Sequence, residues 1–131
     1  MPMSTKAERT ERNVVLLRAA GYAPTVKVPG EIHFKKEGGT YVLMLDDEEA
    51  YWSLLYPRFW AISTDTQRAK AESAAIAATE ELMVGKVYVT ADANVSASFE
   101  VFLPPQAVPP IARAITTLSV AVDLFKDKVG A

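Results

Sequence analysis

The spacing of hydrophobic and polar residues changes along the chain and marks its first elements. Thr5 and Glu8 have the spacing of a capping box, and apolar residues then recur near one helical face as far as Gly21. This pattern predicts a first helix. Segment 22–30 contains two prolines, and we predict a loop there that could hold a short edge strand over 26–28.

A period of two residues then predicts three strands. Ile32 and Phe34 alternate with His33 and Lys35, and residues 40–45 and 51–56 are rich in strand-forming side chains. Glycines 38 and 39 can supply the positive φ of a tight hairpin turn. We expect Pro57 to end the third strand, because proline cannot donate to a ladder. The apolar run 59–62 fits no element by its pattern.

Two more helices enclose a second predicted hairpin. Thr64 and Gln67 have capping-box spacing before an alanine-rich helix that should reach about Leu82. The hairpin covers 86–103 and turns at 92–94. After two proline pairs, apolar residues at steps of four and three over 111–129 predict a last helix with one apolar stripe.

The predicted order is therefore α-β-β-β-α-β-β-α. Strands joined by short turns pair antiparallel, and helices are available to cover one face. We predict an α+β fold in which a single antiparallel five-stranded sheet has its helices packed on one face. Residues 1–131 should form one domain.

The predicted pairing places apolar side chains on both faces of the first three strands. A turn at 38–39 pairs Phe34 with Leu43 and Ile32 with Leu45, which defines a core face. The opposite, outer face then carries His33, Lys35, Val42, Met44, Tyr51, Ser53 and Leu55. A sheet with one solvated face normally alternates cleanly between apolar and polar residues, and this half of the sheet does not.

The second hairpin follows the normal pattern more closely. Its outer positions include Ser96 and Ser98, together with Lys86 placed opposite Glu100. We expect this polar half of the outer face to be solvated and to contain an ion pair.

Three explanations for the apolar outer face stay open. The N-terminal loop or Phe59-Trp60 could fold over it within the monomer, it could line a small-ligand cleft, or it could contact a second copy or another polypeptide. Large exposed apolar patches often mark interaction sites. Under the third explanation the contact residues are Val42, Met44, Tyr51, Leu55, His33 and Lys35.

Composition narrows the classes of protein. The chain has 131 residues, half of them hydrophobic, no cysteine and a net charge of −2. These values favour a single globular domain and give no electrostatic reason to expect nucleic acid or a membrane as a partner. No apolar run approaches the length of about 20 residues that spans a bilayer. We expect a soluble, cytoplasmic protein.

Candidate chemistry is sparse. His33 is the single histidine and has no evident acid or nucleophile partner in the sequence. The acidic run 46–49 lacks the ligand pattern of a calcium loop, so we predict a solvated turn. We expect no enzyme activity, cofactor or metal site. The rival hypothesis is a small-molecule-binding sensor, or an enzyme with a carboxylate-based site that uses residues such as Glu31, Asp46 or Asp47.

Short motifs spread over almost the whole chain carry a resemblance. In order, they are Gly21-Tyr22, Ile32-His33-Phe34, Glu37-Gly38-Gly39-Thr40-Tyr41, Asp46-Asp47 before Tyr51, Leu55-Tyr56-Pro57, Lys86-Val87-Tyr88-Val89 and Ser98-Phe99-Glu100-Val101-Phe102-Leu103. With the predicted element order, they resemble the bacterial sensory transduction regulator family, which has the type III secretion chaperone-like fold. The resemblance implies a dimeric, chaperone-like protein that binds other polypeptides and has no catalytic residues. It leaves a regulatory role open.

Overall fold

A computed structural model describes residues 5–48, 50–104 and 107–130. The chain has the predicted α+β class, with three helices and an antiparallel sheet. Glu49 of the predicted acidic turn and Pro105 of the first proline pair lie outside the described residues. The elements in chain order are α1 (Lys6–Ala19), β1 (Thr25–Val28), β2 (Glu31–Lys36), β3 (Gly39–Leu45), β4 (Tyr51–Ala61), α2 (Asp65–Glu80), β5 (Gly85–Val89), β6 (Asn94–Phe102) and α3 (Ile111–Val129).

The sheet has six strands, in the order β1-β2-β3-β4-β6-β5, so the predicted number of five is wrong. The additional strand is β1, which contains the segment 26–28 where the sequence allowed a short edge strand, and it lies at the edge of the sheet. All four of its residues are exposed, so no burial pattern distinguishes it in the sequence. It is a strand because it pairs with β2, with Thr25 opposite His33 and Val26 opposite Ile32.

The helix starts follow the capping signals in the sequence. The Glu8 amide donates to the Thr5 hydroxyl at 3.1 Å, and the Thr5 amide donates to the Glu8 carboxylate at 3.0 Å. At α2, the Gln67 amide donates to Thr64 in the same way at 3.1 Å. Each bond satisfies an amide that the first helical turn leaves unpaired.

The three helices pack around one core on the inner face of the sheet. Here α1 contacts β2 and β3, α3 contacts β4, β5 and β6, and α2 packs against α3 and β5. The predicted stripe of α3 is buried, from Ile111 to Phe125. The indole of Trp52 on β4 donates to Asn13 on α1 at 3.0 Å, and both residues are buried. The inner face therefore holds the helical layer.

The first hairpin turns at Glu37-Gly38, one residue earlier than predicted. These two residues have φ of 52° and 82°, as a two-residue type I′ turn requires. The earlier turn shifts the register by two residues, so that Ile32 pairs with Leu43 and not with Leu45. A shift of two residues leaves every side chain on its predicted face.

The other two predicted registers need the same correction. A four-residue turn at 46–49 would place Leu43 opposite Trp52, but Leu43 pairs with Leu54. A three-residue turn at 92–94 would place Val87 opposite Phe99, but Val87 pairs with Ala97, because the turn comes one residue earlier and the Thr90 amide donates to the Asn94 carbonyl at 2.8 Å. Side-chain periodicity predicts the face on which each residue lies. A register shift of two residues leaves those faces unchanged, so periodicity cannot distinguish the two registers.

Strand β4 continues past Pro57 through a bulge, which corrects its predicted end. Pairing with β6 is irregular between Tyr56 and Trp60, and Arg58 has a positive φ of 55°. The Arg58 amide donates to the Ser96 hydroxyl at 2.9 Å. The bulge accommodates a residue that cannot donate, and regular pairing resumes at Trp60.

Replacement of Glu37 by asparagine tests the position of the first turn. We expect Glu37→Asn to raise the free energy of unfolding by about 0.5 to 1 kcal/mol, because asparagine tolerates positive φ better than glutamate. Loss of the ion pair between Lys36 and the exposed Glu37 carboxylate, 3.5 Å apart, should matter little. Urea unfolding measures the change. Glu37→Val is the control and should be destabilising, whereas a strand position at residue 37 would favour valine over asparagine and contradict the observed turn.

Candidate protein-interaction surface

The described part of the chain leaves the outer face of β2, β3 and β4 without a covering element. Phe59 and Trp60 do not fold over it, because both rings contact Phe125 of α3, with centroids 5.5 Å apart. Tyr22, from the segment before β1, stacks near Phe34 on the inner side at 5.0 Å. Among the described residues, the explanation by a cover within the monomer is therefore wrong.

All six predicted contact residues lie on this outer face. The register joins His33 to Val42 and Val42 to Leu55 across three neighbouring strands. Met44 lies beside this row and is 36% exposed. Lys35 and Tyr51 lie toward opposite ends of the strands. We call Val42, Met44 and Leu55 the apolar strip, since they form the centre of the group.

Strand β6 extends the outer face beyond the predicted residues. Leu55 pairs with Ser98, and Tyr51 pairs with Phe102, whose side chain is 69% exposed. The rings of Tyr51 and Phe102 meet edge to face, with centroids 5.4 Å apart. Sequence reasoning missed Phe102 because β4 and β6 are distant in the chain, and local hairpin arguments pair only consecutive strands.

A polar network centred on Glu100 flanks the apolar strip on one side. Its carboxylate accepts from the Tyr51 hydroxyl at 2.6 Å and from Ser98 at 2.9 Å. Lys86 forms the predicted ion pair with Glu100 at 2.8 Å, although its paired residue across the ladder is Ser98. Hydrogen bonds from Lys86, which has the largest effect, and from Tyr51 hold the pKa of Glu100 below its usual value.

The predicted solvation of this half is wrong at its serines. Ser96 and Ser98 are both buried, although they point away from the helices. Their side chains are short and accept or donate hydrogen bonds to Arg58 and Glu100. Longer neighbours on the same face can shield such residues, so an outward-pointing residue is not necessarily an exposed one.

His33 has an acidic partner that the sequence analysis did not assign. Its Nε2 lies 2.8 Å from the Glu31 carboxylate. Residues two apart on one strand point to the same face. The spacing of Glu31 and His33 in the sequence is therefore the signal that predicts this pair. Lys35 lies on the same face and is exposed. It has no ion-pair partner within 4.0 Å in the described part of the chain.

The carboxylates of the rival hypothesis each have a local partner. Glu31 contacts His33, the Asp47 carboxylate lies 2.8 Å from Lys6, and the Asp46 carboxylate accepts from the Asp47 amide at 2.8 Å. Within residues 5–48, 50–104 and 107–130, no group of three or more acidic or histidine side chains could hold a metal ion.

A cavity of about 470 Å³ lies at the edge where β1 meets β2. Cationic Lys27 and Lys35 line it together with His33, and no carboxylate does. Its volume is in the range of small-ligand sites. This lining contains none of the carboxylates that the enzyme form of the rival hypothesis uses.

The ionisation of Tyr51 reports on the Glu100 network. Its hydrogen bond to Glu100, with burial, raises the pKa of Tyr51 from 10 to about 12. Because the folded-state pKa is raised, the stabilisation by the neutral hydroxyl is complete below pH 10 and is lost as the pH rises toward 12.

An absorbance titration of the wild type minus that of Tyr51→Phe should isolate this phenol among the five tyrosines. We expect ionisation near pH 12, and a shift toward 10 in the Glu100→Gln background. Ionisation of Tyr51 at its ordinary pKa in the wild type would contradict the hydrogen bond.

Comparison with known proteins assigns no family to the chain. Neither the protein-family models nor the curated proteins contain a match to it. In the described residues, none of the helices has the length and apolar character needed to cross a membrane. The arguments for function therefore come from the outer face itself.

Proposed function

We propose that this protein is a noncatalytic, chaperone-like interaction module that binds another polypeptide or a second copy of itself through the outer face of β2, β3 and β4. The supporting observation is the apolar strip of Val42, Met44 and Leu55 on a face that no helix covers in the described part of the chain. Burial of such a strip contributes about 25 cal/mol per Å² of apolar surface.

The shape and chemistry of this face favour a flat or extended polypeptide over a small molecule. The apolar strip lies between the Glu100 network and the Glu31–His33 pair. An apolar centre with a polar rim is the usual arrangement of a protein interface. The resemblance to the sensory transduction regulator family agrees with this proposal, and a cytoplasmic location and a regulatory role belong to it.

A carboxylate in the apolar strip should weaken association without unfolding the protein. We expect Val42→Asp or Met44→Asp to raise the dissociation constant of self-association about tenfold or more, because each places an unpaired charge in the interface. Sedimentation of wild type and variants at high micromolar concentration measures the effect. Val15→Asp is the matched control, since Val15 is 55% exposed on α1, away from the sheet.

A second arm addresses other polypeptides. Immobilised wild type, Val42→Asp and Val15→Asp are compared for the proteins that each retains from the native host lysate. The proposal expects retention by wild type and Val15→Asp that Val42→Asp loses. A monomeric wild type, together with equal retention by all three proteins, would overturn the proposed function.

A further inference from the structure

We infer that the outer face pairs with a second copy about a two-fold axis that runs across the strands, so that Lys35 of each copy meets Glu31 of the other. This inference rests on the proposed function and adds the partner and the geometry. It follows from how the register distributes charge on the outer face.

The register sorts outer-face residues into three rows that cross the strands. The central row contains His33, Val42, Leu55, Ser98 and Lys86. The acidic row, on one side of it, contains Glu31, Met44, Ser53 and Glu100. The third row, on the other side, contains Lys35 with Thr40, and Ser96 with Tyr88, and has no carboxylate among these four residues.

Glu31 and Lys35 cannot neutralise each other within one chain. They lie four residues apart on β2, a separation of about 13 Å along a strand. Glu31 contacts His33, and Lys35 has no ion-pair partner in the described residues. The face therefore presents an exposed cation on one side of the central row and a partly exposed carboxylate on the other.

Two identical faces that pack against each other are related by a two-fold axis in the plane between them, and its two limiting directions are along the strands and across them. An axis along the strands, between β3 and β4, would lay Glu31 over the partner's Glu100. It would do so twice by symmetry, and like charges brought together across an interface oppose association. The sheet order β2-β3-β4-β6 imposes this result.

An axis across the strands, along the central row, gives the opposite result. Each strand then lies over the same strand of the other copy, and the acidic row lies over the third row. Glu31 meets the partner's Lys35 twice by symmetry, while the residues of the central row approach their own copies, Val42 and Leu55 among them. His33 and Lys86 do so as well, and each keeps a carboxylate partner in its own chain, Glu31 and Glu100 respectively. Glu100 lies over the row of Ser96 and Tyr88, which holds hydroxyl groups and no carboxylate. Packed sheets lie about 10 Å apart, a gap that side chains such as valine, leucine and methionine fill.

Complementary charge reversal tests this geometry. Glu31→Lys makes both positions cationic, and Lys35→Glu makes both anionic. We expect each variant alone to dimerise about tenfold or more weakly than wild type, because like charges then face each other across the axis. An equimolar mixture of the two should form a heterodimer with an affinity within a few-fold of wild type. The double variant Glu31→Lys/Lys35→Glu should dimerise like wild type.

Matched controls exclude effects of net charge and folding. Glu72→Lys and Lys70→Glu make the same charge changes on the exposed side of α2, and they should leave dimerisation unchanged. Circular dichroism and urea unfolding verify the fold of each variant. The Glu31→Lys chain lacks the Glu31–His33 contact in the mixture as well as on its own. Loss of that contact therefore cannot explain a recovery of dimer affinity in the mixture.

The outcomes separate this inference from the proposed function. If Val42→Asp dissociates the dimer but the mixture shows no recovery, the axis is wrong and the interaction surface stands. If Val42→Asp leaves the dimer intact, self-association does not use this face, and both fail for the homodimer. A monomeric wild type at high micromolar concentration overturns the inference, and the retention experiment then decides polypeptide binding.

Discussion

The pleat of the β-strand is the constraint on which the rest of this structure depends, because it sends successive side chains to opposite faces. In β2, β3 and β4 both sets contain large apolar residues. One set, with Ile32, Phe34 and Leu43, is buried against the helices. The other includes Val42 and Leu55, which no helix covers in the described part of the chain. The three helices pack on one face, and the second face is the surface on which the proposed function rests.

The bulge in β4 determines on which side of the sheet the aromatic residues after Pro57 lie. Regular alternation would send Phe59 and Trp60 to opposite faces, yet both rings contact Phe125 of α3. Between the pairs Tyr56–Ala97 and Trp60–Val95, three residues of β4 oppose a single residue of β6, so the bulge adds two residues and includes Phe59. The irregular backbone there lets Phe59 turn to the helical layer, where Trp60 also lies. The Phe59 ring is thereby kept off the outer face, where Tyr51 and Phe102 remain.

The charged groups make the outer face different at its two ends along the strands. Apolar contact alone is non-directional. The Glu100 network, the Glu31–His33 pair and Lys35 surround the apolar strip at different positions, and the face is therefore asymmetric along its strands. Under the proposed function, a partner would have to match this order of charges, which favours specific over indiscriminate association. The same asymmetry distinguishes the two possible axes of a homodimer.

The sequence by itself determined the features that neighbouring residues control. These are the capped helix starts at Thr5 and Thr64, the stripe of α3, and the face to which each strand residue points. Face membership survived although every predicted register was shifted by two residues, because a strand repeats every two. Tertiary structure alone decided between the loop and the edge strand that the sequence left open at β1. It alone also decided the bulge, the burial of Ser98 and the meeting of Tyr51 with Phe102. Each of these depends either on contacts between segments that are distant in the chain or on the turn that joins two strands. Local periodicity carries no information about either.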